Sequence, residues 1–394
     1  MSIFLRRPPP AHSLLEPVPF ASLDAEKGAP LKLVMTLLCR DEEDIVDSML
    51  AFHLNAGVDF VIATDHASHD GTTEILERYA REGYLRLIRE EDSEYREVQW
   101  RTRMARLAAT EYQAEWVINS DADEFWWPRG LDLKDVVGSV PQRYGVVRAF
   151  WRPFVPRPDD GAVFSERMIV RVAPDAAIHD PGSQFRPKSK VIHRASPSVT
   201  IGRGNHDVEG VSFEVLHGWY PVELLHFPLR SHAQVRRKAS IYRATSDTRL
   251  HDAHRNLHRA FESGDLADRF RALAVDDEAL KRGLADGTLV VDTRLRDALR
   301  SLVRPTAHSG TTAAQAFALP QTGRGGLRFE RPSIADDARY AVDAAVLGEA
   351  DVVRAQRRLD ELEQRIAVLE RKPWPRLMRR LRRVRRGAPV SRRS

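Results

Sequence analysis

The sequence predicts an α/β protein whose first half is a doubly wound, largely parallel sheet, and three observations carry that prediction. Short apolar runs alternate with segments of helical period from Leu31 to Asn119. The polar clusters able to carry chemistry fall just past the ends of those runs, the edge at which open α/β sheets bind ligands. After Asp121 the pattern changes to shorter, more polar strands separated by proline and glycine, which points to an antiparallel or mixed second half.

Taken in order, residues 1–30 are proline-rich and aperiodic and read as an extended leader. LKLVMTLL, from Leu31, is a buried strand, and DEEDIVDSMLAFHLNAG is a helix that Gly57 can end in a left-handed conformation. VDFVIATD is the second strand, followed by a helix through TTEILERYAREG and the strand YLRLI. A helix around VQWRTRMARLAATEY then leads into the strand EWVIN. In the second half YGVVRAFWRPF, AVFSERMIVRV, KSKVIHR and VELLHF read as strands. Residues 31–238 form the main domain and 239–345 a charged helical extension with an ill-defined break at 304–335. Val352, Ala355, Leu359, Leu362, Ile366 and Leu369 alternate spacings of three and four, so 346–371 reads as a short coiled coil or docking helix, a route to a homodimer.

With 394 residues, 42% hydrophobic and 30% charged, the chain can bury a full core. No apolar run approaches the ~20 residues needed to cross a bilayer, and residues 1–20 show no signal-peptide pattern, so a cytoplasmic location is expected. Cys39 is the single cysteine, which excludes a disulfide framework and a cysteine metal site. Residues 371–394 hold eleven Lys and Arg and no acid, so the net +5 of the whole leaves the first 370 residues at −6. An acidic body argues against a nucleic-acid-binding domain. The tail at 372–394 gathers Trp374, Leu377, Met378, Leu381 and Val384 into a stripe among arginines, which suits an anionic membrane surface on the inner face of the cell membrane or a solvated basic tail.

The most informative stretch is EWVINSDADEFWW, an apolar strand running into Asp121, Asp123 and Glu124. If strand geometry persists, a period of two directs Asp121 and Asp123 to one side, where like charges repel unless a cation joins them. Carboxylate oxygens suit Mg²⁺ or Mn²⁺. Arg40 to Glu42 and Asp65 lie past two other strand ends, so three polar clusters are expected to converge on one crevice. Asp70, ahead of Gly71 and Thr72, reads equally as part of that site or as a helix cap.

LLCRDEEDIVDSMLAFHLNAGVDFVIATDHASHDGT, NSDADEFWW and HFPLRS, in that order, resemble bacterial family 2 type glycosyltransferases, over about residues 31–238. Arg40 and Asp41 stand where that subgroup usually has Lys and Asn. The resemblance implies the GT-A nucleotide-diphospho-sugar transferase fold, a Rossmann-like mixed sheet with helices on both faces, here followed by the helical extension. It implies that Glu42 and Asp65 hold the nucleoside, with Arg40, Asp70 and Asp121 beside them. Asp121 and Asp123 would then form the DxD element that grips metal and diphosphate. A later histidine commonly completes the metal shell, and His206 is the first choice, His226 the second; a hydrogen-bonded structural histidine is the competing reading for each.

Sugar transfer from a nucleotide sugar needs the departing diphosphate stabilised and the acceptor hydroxyl deprotonated. Lys188, Lys190 and Arg194 are candidates to meet the diphosphate, although a lysine-rich strand edge would look the same. Asp207 is the preferred base for an inverting transfer to a glycan or lipid-linked acceptor, with Glu124 and Glu209 as alternatives. Trp126 and Trp127 either stack on an acceptor sugar or pack beneath a loop. A nucleotidyltransferase should have a glycine-rich loop after the first strand, and LLCRDEED has none. The remaining alternative is a non-catalytic scaffold of the same fold at the membrane, against which the intact Asp65, Asp121 and Asp123 count.

Overall fold

The computed structural model describes residues 31–92, 95–174, 185, 188–211, 213–244, 252–304, 317–320 and 326–348. The leader, the coiled-coil segment at 352–369 and the basic tail lie outside the described residues. No described helix is long and apolar enough to cross a membrane.

The parallel half forms as its periodicity predicts. β1 (Leu33–Cys39) is buried along its whole length, as a strand covered on both faces must be. It pairs in parallel with β2 (Phe60–His66) and β4 (Trp116–Ser120), and β2 pairs with β3 (Leu85–Glu90). The intervening helices are α1 (Val46–Asn55), α2 (Thr72–Arg81) and α3 (Glu97–Thr110). The Tyr79 hydroxyl donates to Asp47, 2.7 Å away, which locks α1 to α2. α3 covers the opposite face through Trp100, Met104, Ala105 and Ala108 against Val34, Leu38, Ile62 and Val117. Right-handed crossovers require that split, because the chain moves outward through β2 and β3 and then returns across β1 to β4.

The second half is mixed, as expected, but its elements differ from those predicted. The chain turns at once from β4 into β5 (Glu124–Pro128), passes α4 (Leu133–Gly138), and lays down the long β6 (Tyr144–Pro153). AVFSERMIVRV is not one strand: Phe164–Arg167 makes a helical turn, α5, and only Val170–Val172 extends as β7. β8 (Ser189–Arg194) runs antiparallel between β4 and β6. Short strands β9 (Thr200–Ile201) and β10 (Val208–Glu209) pair with each other, and β11 (Glu214–Leu216) joins the start of β6. β12 (Val222–His226) inserts between β6, to which it is parallel, and β5, to which it is antiparallel. The resulting path is β3-β2-β1-β4-β8-β6-β12-β5.

The helical extension comprises α6 (His232–Ala244), α7 (Asp252–Ser263), α8 (Leu266–Leu273), α9 (Asp277–Ala285) and α10 (Arg294–Leu302). A strand that periodicity did not reveal, β13 (Leu289–Val291), pairs with β7 and so fastens the extension to the main domain. α1 is buried nearly all round, which its ten residues VDSMLAFHLN permit. Phe52 on α1 meets Phe125 on β5 edge-on at 5.5 Å, and Phe125 in turn meets Phe227 at 5.7 Å. Each such buried ring contributes roughly 1.5–3 kcal/mol through the apolar surface it removes from water. Asn55 closes the far end of α1, donating to the Ala318 carbonyl at 2.8 Å and accepting from the Gly326 amide at 3.0 Å.

Candidate active site

The carboxyl ends of β1, β2 and β4 come level in the sheet, with Cys39 opposite Asp65 and Leu37 opposite Ser120. Past β1 the expected helix does not start at Asp41. Residues 41–44 instead form a loop, with Asp41 at φ +54°, because their amides are claimed by the loop after β2. The Asp41 amide donates to Ser68 Oγ (3.1 Å), that of Glu42 to Thr72 Oγ1 (2.8 Å) and that of Glu43 to Asp70 Oδ2 (3.2 Å). Asp65, 3% exposed, accepts from the Ser68 hydroxyl and the Thr73 hydroxyl, both at 2.5 Å. Asp70 accepts from the Thr72 amide at 3.0 Å and so shapes the turn into α2, whose N-cap position is Gly71.

Arg230, completely buried, clamps this rim from the far side of the sequence. Its guanidinium contacts Glu42 and donates to Asp44 at 2.7 and 2.9 Å. Burial, with Asp123 and Asp44 adding to it against the pull of Arg230 and Lys238, pushes the Glu42 carboxyl up to about 7. The Cys39 thiol registers the convergence. Burial raises it well above its usual range, and Asp65, Glu42 and Asp70 all add to the rise.

The strand geometry expected through Asp123 does not persist. β4 ends at Ser120, and residues 121–123 make a tight turn in which the Glu124 amide donates to the Asp121 carbonyl. Asp121 nevertheless remains close enough to raise the proton affinity of Asp123. Each is already matched by cations. Asp121 contacts the Arg101 guanidinium through one oxygen and Lys190 Nζ through the other, at 2.7 Å. Burial alone would raise its carboxyl, but Arg101 and Lys190 outweigh it and hold the group far below the usual carboxylate range. Asp123 meets Lys238 Nζ at 3.1 Å and His226 Nε2 at 3.7 Å, and those two likewise overcome its burial and lower it.

Glu124 is sealed in, at 0% exposure. It receives Lys190 at 2.9 Å, the Trp151 indole N–H at 3.0 Å and the Asp121 amide at 3.1 Å. Burial, only partly opposed by Lys190, pushes its carboxyl up to about 7. Trp151, unremarked in the sequence, is the aromatic ring of the site. His226 stacks on it at 4.0 Å, and the ammonium groups of Lys188 and Lys190 lie 5.1 and 5.6 Å from its centre. His206 donates through Nδ1 to the Ser189 carbonyl at 2.7 Å, and burial with the nearby Lys190 pushes its imidazole down to about 3. Burial pushes His226 down to about 4.

Several expected participants stand elsewhere. Arg194 sits four residues along β8 from Lys190, about 13 Å away at the rise of a strand. There it donates to the Tyr144 and Val140 carbonyls and lies over Trp116 at 4.6 Å, so it cannot join the two lysines. Trp126 is wholly buried, its indole donating to Ser120 Oγ, and Trp127 points to the opposite face of β5 and stacks on Phe52 at 5.7 Å. Both rings pack within the protein. Glu124 is closed off from solvent, its carboxylate held by Lys190 and Trp151. Glu209 is exposed on the two-residue β10, and Asp207 stands in solvent, its side chain 61% exposed and held by Arg148 at 2.8 Å. Arg40 pairs with Asp41 at 3.7 Å on the rim.

The four expected metal ligands do not form a cage. Both oxygens of Asp121 are taken by Arg101 and Lys190, and among the described residues no three His, Cys, Asp or Glu side chains gather closely enough to enclose an ion. What the rim presents instead is a buried ladder of alternating charge. The sequence did not flag Arg101 or Lys238, because both sit on helices whose charged residues look like solvated faces. Arg230 was visible within HFPLRS.

The family model described as glycosyltransferase family 92 matches residues 39–257, more than half of the chain. No curated protein matches. Among solved structures, S. aureus TarS 1-349 is 15% identical, covering 59% of this chain and 71% of that one at a TM-score of 0.29. Its complex with UDP is 14% identical, covering 77% and 100% at 0.29, and its complex with UDP-GlcNAc is 13% identical, covering 62% and 74% at 0.29. Likenesses this distant bear on neither substrate nor mechanism.

Proposed function

Because the chain belongs to glycosyltransferase family 92, we propose that it transfers a hexosyl group from a nucleoside-diphosphate sugar to a glycan or lipid-linked acceptor, with inversion. The single observation that carries this reading is the convergence of Glu42, Asp65, Asp121 and Asp123 with Arg101, Lys190 and Lys238 at the carboxyl ends of three parallel strands. The motif order shared with family 2 type enzymes supports the inverting, hexosyl version.

In this reading Asp65 and Glu42 hold the nucleoside, with Arg40 on the rim and Asp70 shaping the loop beneath it. Lys190, Arg101 and Lys238 neutralise Asp121 and Asp123 in the free protein and turn part of their charge to the diphosphate when donor enters. As the bond from the sugar's anomeric carbon to the diphosphate oxygen breaks, that oxygen keeps the electron pair and the buried cations stabilise it, which is the largest single lever in such a site. The acceptor oxygen attacks from the opposite face and its proton passes to Asp207, the solvent-exposed carboxylate held by Arg148. Trp151 is the ring positioned to bear on the sugar. With Asp121 engaged as it is, no step is routed through a metal. Loss of turnover in EDTA would show that Mn²⁺ or Mg²⁺ is needed, and Asp121 and Asp123 are the carboxylates that would hold it.

The experiment is turnover of a panel of UDP-, GDP- and dTDP-sugars, with and without Mn²⁺. One nucleotide class should be consumed, and Asp123→Ala should abolish consumption while the protein stays folded. Full activity in the Asp123→Ala protein would overturn the reading. Attachment of the basic tail to anionic membranes and pairing through 352–369 remain part of the proposal, resting on sequence alone.

A further inference from the structure

The strands that carry Glu124, Trp151 and His226 on one face carry Trp127, Arg152 and Glu223 on the other, because successive side chains alternate. Behind that second face lies a cavity of about 1610 Å³, walled by β12, β13, the start of α10 and residues 326–346. Phe329 packs edge-on against Trp127 at 5.1 Å, and the Arg129 guanidinium lies 3.8 Å from the centre of the Tyr340 ring, so the wall is seated on the sheet.

Arginines crowd this cavity. Arg152, Arg171, Arg129 and Arg294 line it with side chains 2, 12, 13 and 33% exposed. Three carboxylates lie within the same range, Glu223 at 3%, Asp292 at 4% and Asp343 at 30%, and Asp337, 60% exposed, meets Arg129 at 2.9 Å. Glu223 takes Arg152 and Arg294 at 2.8 Å and Arg129 at 3.1 Å, while Asp292 takes Arg294 at 2.7 Å and Arg171 at 3.0 Å. Asp343 reaches Arg152 at 3.2 Å from a more open position. Two guanidinium nitrogens stay unmatched: Nη1 of Arg152 and Nη1 of Arg171 are shut off from water and have no hydrogen-bond partner among the described residues. Burial, with Arg152 and Arg294 adding to it against the pull of Asp292 and Glu223, pushes the Arg171 guanidinium below its usual range. An unpaired buried donor on a charged group is costly, and a bidentate anion is the partner a guanidinium fork matches.

We propose that this cavity is a second ligand site, one that binds a phosphate- or carboxylate-bearing molecule whose anionic group is held by Arg152 and Arg171. The volume exceeds the roughly 300–1,000 Å³ of an ordinary small-molecule pocket, so the occupant extends beyond the anion itself. The site lies on the back of the sheet and uses none of the rim residues, so it stands or falls independently of the transfer reaction.

The test measures the melting temperature of the full chain with inorganic phosphate, or with glucuronate, against sodium chloride of equal ionic strength. At about tenfold excess over Kd, either anion should raise it by about 3 °C. A rise with phosphate alone marks a phosphoryl ligand, and a rise with glucuronate alone marks a carboxylate. Arg171→Gln should abolish the rise, and Arg152→Lys, which keeps the charge beside Glu223 but loses the fork, should weaken it at least tenfold in concentration dependence. Should Arg171→Gln fail to fold, the Arg152→Lys titration decides alone. Lys190→Gln, in the rim on the other face, should keep the rise. No shift with either anion, an undiminished shift in Arg152→Lys, or loss of the shift in Lys190→Gln would each overturn the proposal.

Discussion

Replacing Lys190 by methionine should destabilise the protein by about 3–5 kcal/mol at about pH 8 and by markedly less at about pH 6. Lys190 is 1% exposed and its ammonium lies 2.7 Å from Asp121 and 2.9 Å from Glu124. Methionine fills a similar space without the charge, so the variant leaves Glu124, itself 0% exposed, with no cation in contact. Breaking a buried ion pair from one side costs about 3–5 kcal/mol, because the surviving charge stays desolvated. The pH dependence follows from the direction of the Glu124 shift. Even beside Lys190, burial pushes its carboxyl from the usual 4.5 up to about 7. A group whose folded-state pKa is raised favours the native protein at low pH, and that advantage disappears as pH rises through the folded value. In the parent this amounts to about 3 kcal/mol between the two limits. Without Lys190 the folded value climbs further, so at about pH 6 Glu124 is neutral and the remaining cost is that of Asp121 keeping Arg101 alone. Urea unfolding followed by tryptophan fluorescence at both pH values reads the difference, with an unchanged m-value confirming the same transition. Equal losses at the two pH values, or a loss under about 1 kcal/mol at the higher one, would refute the reasoning.

Two further outcomes are expected. His53 on α1 accepts the Trp126 amide at 3.0 Å and donates to the Met49 carbonyl at 2.8 Å, and burial pushes its imidazole down to about 3. His53→Phe should cost about 1–3 kcal/mol near neutrality by stranding that amide. The gap between parent and variant should narrow as pH falls below the usual 6.5, since only the parent must keep a neutral imidazole that its unfolded chain would protonate. A gap constant down to about pH 4.5 in thermal melts would contradict this assignment. For the base, Asp207→Asn should lower kcat by about 10²–10⁴ with donor KM nearly unchanged. Normal turnover would remove Asp207 from the mechanism.

The parallel half was legible because each of its strands is a short apolar run flanked by turn residues and each helix repeats at 3.6; β1 through β4 required no knowledge of distant partners. The second half depends on pairings between strands far apart in the chain, such as β12 between β6 and β5, and periodicity carries no information about a partner. For Trp126 and Trp127 the choice between stacking and packing stayed open in the sequence for a local reason. Residues 121–123 turn rather than extend, so the face each residue of β5 takes cannot be counted from β4. AVFSERMIVRV failed similarly, since alternation extended across a stretch that coils into α5 before β7 begins. Lys190 was recognised as a candidate while Arg101 was not, although both close on Asp121. A lysine flanked by apolar neighbours in KSKVIHR stands out, whereas an arginine on a helix bearing Arg103 and Arg106 does not.

The clamp made by Arg230 has a consequence for how the protein comes into being. The loop after β1 is synthesised well before Arg230, yet its carboxylates are tied down by that residue, which lies 188 positions later than Glu42. β5 must wait almost as long, because among the described residues its sheet neighbour is β12. A nascent chain stopped short of Arg230 could assemble the parallel strands, but it would leave an acidic loop unrestrained and an apolar strand without a partner. The opening third of the molecule is therefore built early and finished late, and the interval between the two is when a helper that shields strand edges would have most to do.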